Sequence, residues 1–339
     1  MAGAAILTGS KEVAQLGQTA AASYLASYSR DQERQSDSLG IRYLSKAGYD
    51  PLAMSGGLAA IGRQGALLNR MAGREAREVS SLSTHPQTPE RVAATRAEAT
   101  RTRAQGRVFT GRDPFLNAID GMIYGDSPQQ GFVRGNRFSH PLIRFTFTVP
   151  DSFTLDNLPQ AVVANERQGR ARIIFDQEPD PRIARGNFAM DRYIAGHWAK
   201  GARLFDLDRI TIDGMAAATA VAQINSGSQR LDARLIAIRF DSQRLFRFVF
   251  LTPVNLTRSF TNAFRETTFS FRRLDQREAS QLQPDRINVQ QIRPNDSITS
   301  LTRNSPNEDG FARERFLVIN GMDADGPLQA GERIKVIRR

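Results

Sequence analysis

Apolar residues over positions 1 to about 105 recur at three- and four-residue spacing within Ala-, Leu-, Arg- and Gln-rich sequence, the period of amphipathic helices. Ser29-Arg-Asp-Gln32 has the form of a capping box, which predicts a helix running from Ser29 to a left-handed end at Gly48. Asp50 and Pro51 then open the next helix: the Asp side chain accepts a free first-turn N–H, and Pro lacks only an N–H that would have no partner there. Turn-forming residues over 80–89 separate this pair from a third, Arg- and Ala-rich and largely solvated helix near 90–105.

Past residue 106 the period shortens. Alternating or β-branched runs at 132–138, 142–149, 161–164, 171–175, 210–212, 235–240 and 245–251 predict strands, and helical patterns near 189–200 and 256–264 punctuate them. An antiparallel sheet packed by helices is the expected architecture. From residue 285 the order reads βααβ. Ile287-Asn-Val-Gln-Gln-Ile is a strand, Asp296 caps a helix, a second helix closes over 316–320, and Ile334-Lys-Val-Ile ends the chain as a strand. The expected fold class is therefore multidomain α+β, divided into a helical region 1–105, a sheet domain 106–284 and a βααβ module 285–339.

Composition supports several globular domains: 339 residues, 40% hydrophobic and 24% charged. With no cysteine, a metal centre must use His, Asp or Glu. The net charge of +11 raises the question of nucleic acid, but of the 46 basic residues only Lys11, Lys46, Lys200 and Lys335 are lysines. The arginines are interspersed with Asp and Glu from Arg30 to Arg339, so no nucleic-acid partner is expected. No apolar run approaches the roughly 20 residues of a membrane-spanning helix. The run Gly3 to Leu7 is too short for the core of a signal peptide and has no basic residue before it.

The segment with candidate chemistry lies in the first predicted helix, where Glu33 and Asp37 stand one turn apart on one face. Two stacked carboxylates call for a positive partner. One reading gives Glu33 a metal and Asp37 an imidazole to orient; the other pairs both with Arg30, Arg34 or Arg42. His140 and His197 read as satisfied structural residues. There is no Gly-x-Ser-x-Gly elbow, phosphate-binding loop or dinucleotide fingerprint.

Glu33-x-x-x-Asp37, Leu39-Gly40 and Gly48-Tyr-Asp-Pro51, followed by Thr84-His85-Pro86 and Pro89-x-Arg91, resemble two successive segments of one enzyme group. These are the third-ligand helix and the Thr-His-Pro…Pro-x-Arg segment of gluzincin zinc metallopeptidases of the CAAX prenyl protease and periplasmic chaperone-protease type. The resemblance covers residues 1 to about 105. It implies zinc, with Glu33 as a metal ligand, Asp37 as the outer residue that orients another ligand, and His85 on a loop over the active site. It also implies protein substrates and a periplasmic or envelope location. The group's His-Glu-x-x-His, which supplies two imidazoles and a general base, is absent: His85, His140 and His197 are the only histidines and no two are four apart. Stable zinc binding and proteolysis by this chain alone are therefore not expected, and a start beyond that helix, leaving a truncated C-terminal portion, is the simplest account.

Two weaker resemblances concern the remainder. The segment from Phe145 to Leu155 and Arg247-Phe-Val-Phe-Leu-Thr-Pro253 resemble the PsbP-like fold, which implies an antiparallel-sheet αβα sandwich for the middle region. Pro294-Asn-Asp-Ser, Ile319-Asn-Gly-Met and Leu328 to Ile334 resemble the LysM module, which implies peptidoglycan as a partner. The expected function is thus a zinc metalloendopeptidase-family protein, inactive as it stands. The alternative is a non-catalytic envelope protein that binds peptidoglycan or another protein.

Overall fold

A computed structural model describes residues 30–71, 89–103, 109–226, 229–323 and 326–339. In chain order it begins with helices α1 (Arg30–Lys46), α2 (Ala53–Met71), α3 (Pro89–Thr102) and α4 (Arg112–Ile119). Strands β1 (Phe132–Arg134), β2 (Arg137–His140), β3 (Phe145–Thr148), β4 (Phe153–Asn157), β5 (Val162–Glu166) and β6 (Arg172–Gln177) follow. Short helices α5 (Pro181–Ala184) and α6 (Met190–Tyr193), the latter continuing into a π-turn over Ile194–Trp198, lead to β7 (Leu204–Ile212), β8 (Met215–Ser226), β9 (Gln229–Arg239) and β10 (Leu245–Pro253). Then come α7 (Thr257–Ser270), β11 (Arg272–Arg273), α8 (Gln276–Ser280), β12 (Arg286–Gln291), α9 (Ile298–Thr302), α10 (Ala312–Asn320) and β13 (Arg333–Arg338). The protein is mixed α+β with antiparallel sheets. The described residues fall into two compact units, one of 126–284 and one in which the helices before residue 125 group with 285–339.

In the helical unit, the turn between α1 and α2 forms for the reasons its sequence gives. Gly48 has φ +78, a backbone that lets the chain leave α1 without a Cβ clash. Asp50 Oδ1 accepts from the Leu52 N–H at 3.0 Å, and Pro51 lies in the turn that leads into α2, two residues before the helix begins and not in its first turn as expected. The predicted capping residue Ser29 lies outside the described residues. The C-terminal segment shows the predicted βααβ order, with β12 and β13 antiparallel from Arg286↔Arg338 to Gln291↔Arg333. Leu301, Phe316, Leu317, Ile334 and Val336 form its small core. It is also stitched to the α4 region, because Gly121 donates to the Ile287 carbonyl at 2.8 Å and Ile287 donates back to Met122 at 2.9 Å.

The sheet unit is layered. Its central sheet has the order β4-β5-β6-β10-β9-β8-β7, and a smaller sheet has the order β1-β2-β3-β11. Phe145, Phe147, Phe175, Phe246, Phe248, Phe260, Phe264 and Phe271 belong to one aromatic core between the small sheet, α7 and one face of the large sheet. Each such ring taken out of water stabilises the fold by about 2–3 kcal/mol. On the opposite face, α6 and the π-turn lay Tyr193, Ile194 and Trp198 against Ala218, Ala220, Ala222, Ala233 and Ala237, whose small side chains let the helix approach closely. Strand β8 has no counterpart among the predicted strands. Its alanine content gives no β signal, and it is held in the sheet by pairing with β7 and β9 on both sides.

A charged cluster is buried on that second face. Arg247, in the middle of β10 and 1% exposed, donates to both oxygens of Asp176 at 2.7 and 2.6 Å and to Glu178 Oε2 at 3.2 Å. Tyr193 donates its hydroxyl to the same Glu178 oxygen, and the Trp198 ring lies 5.2 Å from the guanidinium carbon. Burial alone would loosen the proton on Arg247, but the Asp176 carboxylate beside it more than reverses this and holds the guanidinium charged. Arg247→Ala would leave two carboxylates buried without their cation. It should cost about 3–5 kcal/mol of stability, read by urea denaturation.

The structure separates the two histidines of this unit. His140 is buried and its Nδ1 accepts from the Ile143 N–H at 3.2 Å, closing the turn between β2 and β3. His197 differs from the expectation of a core residue, because the π-turn rotates it outward to an exposed position stacked at 5.1 Å on Phe188. Burial lowers the pKa of His140 below the ordinary imidazole value. A depressed folded-state pKa contributes stability that is present above the unfolded value of about 6.5 and is lost as pH falls through the folded one. Stability should therefore decline on acidification below about pH 6.5, and His140→Gln should flatten that part of a pH–denaturation profile.

Candidate functional site

Helix α1 buries the stripe that contains Asp37 and Ile41, 4% and 0% exposed, and Glu33 precedes Asp37 by one turn on the same face. Helix α3 packs beside α1 with Thr95 and Ala99 inward, and this docking carries Arg91, in its first turn, to the carboxylates. Arg91 Nε lies 2.6 Å from Asp37 Oδ2, and Arg91 Nη2 lies 2.8 Å from Asp37 Oδ1 and 2.6 Å from Glu33 Oε2. One planar guanidinium thus forks onto Asp37 and reaches Glu33 with the same terminal nitrogen, a geometry that an ammonium cannot reproduce. The hydrogen bonds that Arg91 donates to Asp37 raise its pKa above the ordinary value, which keeps the guanidinium charged.

Further contacts fix the same pair of helices. Ser38 donates to Glu98 Oε2 of α3 at 2.8 Å. At the turn that follows α1, Arg103 Nη2 lies 3.1 Å from Asp50 Oδ2, and Asp50 and Phe109 exchange backbone contact through the Asp50 N–H and the Phe109 carbonyl at 3.1 Å. The sequence singled out Glu33-x-x-x-Asp37 and Pro89-x-Arg91 separately; the structure joins them. The sequence offers Arg30, Arg34 and Arg42 as cationic partners, all on the carboxylates' own helix. The partner common to both carboxylates is Arg91, 54 residues beyond Asp37. Spacing carries no signal for an ion pair between two helices, although the unmatched carboxylate stack announced that some cation was needed.

A zinc site requires about three protein ligands. Among the described residues no group of three or more His, Asp or Glu side chains converges, and His85 lies outside them. The donors at this face are Glu33 and Asp37, both already engaged by a guanidinium, whose positive charge opposes a second cation. These residues by themselves do not fit a catalytic zinc.

Residues 2–99 match the family model of Peptidase family M48. The matched stretch includes Glu33, Asp37 and Arg91, so this M48-like region carries the metallopeptidase resemblance that the motifs suggested. No curated protein matches the chain. Among solved structures, a Bacteroides thetaiotaomicron protein is similar at 10% identity and a TM-score of 0.34 over 50% of this chain, which spans 59% of that protein's length. Cyanobacterial PsbP from Synechocystis is similar at 13% identity and a TM-score of 0.32, over 43% of this chain and 96% of its own. LpqN, involved in cell envelope biogenesis of Mycobacterium tuberculosis, is similar at 13% identity and a TM-score of 0.28, over 50% of this chain and all of its own. Scores this low leave the PsbP resemblance as an expectation. No helix among the described residues is long and apolar enough to cross a membrane.

If the guanidinium is what lets the two carboxylates share one face, its removal should be costly and coupled to Asp37. Arg91→Met and Asp37→Asn should each destabilise the protein by about 2–3 kcal/mol, and the double change by clearly less than the sum. Urea denaturation of the four proteins measures the coupling.

Proposed function

We propose that this chain is a zinc-metallopeptidase-family protein that does not assemble a catalytic centre from its own residues. The observation that supports this is the meeting of Glu33-x-x-x-Asp37 with Pro89-x-Arg91 on one guanidinium, inside a region that matches Peptidase family M48. In this reading α1 and α3 are the third-ligand side of a zinc site. Glu33 is the carboxylate offered to the metal, Asp37 and Arg91 hold the helix that presents it, and His85 belongs to the loop over the site. The two imidazoles and the general base are the parts these 339 residues lack. The substrates of a completed site are proteins, and its compartment is the periplasm or envelope.

A second reading has an observation of its own. The antiparallel β12–β13 pair with two helices between its strands has the order of a LysM module, which supports a non-catalytic role in holding peptidoglycan.

The deciding experiment measures zinc stoichiometry and casein hydrolysis by the purified chain, alone and with an added polypeptide that contains a His-Glu-x-x-His helix. The chain alone should hold well under one zinc and leave casein intact, and a completed site should lose zinc on Glu33→Gln. One tightly held zinc with casein cleavage by the chain alone would sink the proposal. Retention on purified peptidoglycan, with no zinc in either preparation, would transfer the case to the second reading.

A further inference from the structure

One face of the large sheet is covered by α7 only as far as the start of that helix. Beyond Thr257 the ends of β7, β8 and β9 are open to solvent, and a cavity of about 480 Å³ is lined there by Arg203, Phe205, Gln223, Asn225 and Arg230. The register explains why these side chains gather: Gln223 stands opposite Asp232 and Asn225 opposite Arg230, while Phe205 on the neighbouring strand stands opposite Val221. All of them project from the same side of the pleat.

Two features distinguish this cavity from ordinary polar surface. Neither Arg203 nor Arg230 pairs with a carboxylate among the described residues, in a chain whose arginines are repeatedly ion-paired. Both are nevertheless held. The Arg203 guanidinium carbon lies 5.0 Å from the centre of the Phe205 ring. Arg230 is fixed by a relay that starts at α7, where the Thr257 hydroxyl donates to Asp232 Oδ2 at 2.6 Å and Gln223 Nε2 donates to Asp232 Oδ1 at 3.1 Å. A carboxylate only accepts, so the Gln223 amide nitrogen must face Asp232, which turns its oxygen to receive Arg230 Nη2. The guanidinium is oriented by a neutral acceptor and keeps its full charge.

We propose that this cavity binds a small carbohydrate that carries an oxyanion, either a phosphate ester or a carboxylate. The planar fork of donors on an oriented guanidinium meets two oxygens of either anion. The carboxamides of Gln223 and Asn225 both donate and accept, which suits hydroxyl groups that do the same. The volume lies in the range of small-molecule sites and far exceeds what an inorganic anion fills. Apart from Phe205 every lining side chain is charged or a carboxamide, which favours a hydroxylated ligand over a hydrophobic one.

The test is calorimetric titration of the full chain with glucose 6-phosphate, glucuronate, glucose and inorganic phosphate. At least one anionic sugar should bind, at least tenfold more tightly than glucose and than inorganic phosphate, and whichever anion binds identifies the oxyanion. Arg230→Gln should weaken that binding about tenfold, the loss expected for one charged hydrogen bond. Gln223→Glu, which places a negative charge against Arg230, should abolish it. Arg230 is exposed, and thermal unfolding should be unchanged in Arg230→Gln; Gln223→Glu also sets a carboxylate opposite Asp232, so its circular dichroism spectrum is compared with the parent's to show that the sheet still forms. Anionic sugars that bind no better than glucose or inorganic phosphate, or binding that survives both substitutions, would overturn the proposal.

Discussion

A carboxylate taken out of water needs a cation or several N–H groups close by, and in both units a single arginine meets that need for two carboxylates at once. In the helical unit Arg91 joins Glu33 and Asp37; in the sheet unit Arg247 joins Asp176 and Glu178. The consequences differ because the surroundings differ. Arg247 lies inside a finished layer, with an aromatic ring beside it and a phenol sharing one of its carboxylates, so its cluster is closed and structural. Arg91 lies where two helices meet, on the face that carries the motif residues, and there the arrangement fixes the angle at which α1 presents Glu33.

What could be read in advance was local. The Gly48 to Pro51 turn is written in residues whose preferences act within four positions, and it forms as those preferences dictate. The βααβ order near the C-terminus was legible because short apolar runs mark its strands and helices, although the residue that caps α9 is Ser297, through Ser300, and not the expected Asp296. Strand β8 was not. Its faces differ by which alanines are covered, and a run of alanines looks the same on both sides until Tyr193 and Trp198 are laid against one of them. A helix-favouring composition was overridden by two neighbouring strands already in place.

The candidate site was legible in its parts and not in its assembly. Glu33, Asp37 and Arg91 each stood in a recognisable motif, but nothing in the spacing says that the second motif returns to neutralise the first. Arg247 shows the same limit more sharply. An arginine within Leu245-Phe-Arg-Phe-Val-Phe-Leu251 breaks the apolar run, and the companions that make it tolerable are far away in sequence, Asp176 on the pairing strand β6 and Glu178 just past its end.

The guanidinium at Glu33 bears on how a complete metal site of this kind would be balanced. A carboxylate with one oxygen 2.6 Å from Arg91 has part of its charge already answered, so it attracts a metal less than a free carboxylate does. In exchange its orientation is fixed before any metal arrives, and it spends no further side-chain freedom on binding. Affinity in such a site must then come mainly from neutral imidazoles, whose attraction for zinc is not reduced by a nearby cation to the same degree as a carboxylate's. On the reading proposed for Glu33, the chain would keep the oriented carboxylate of such a site, and the imidazoles would have to supply most of the attraction for the metal.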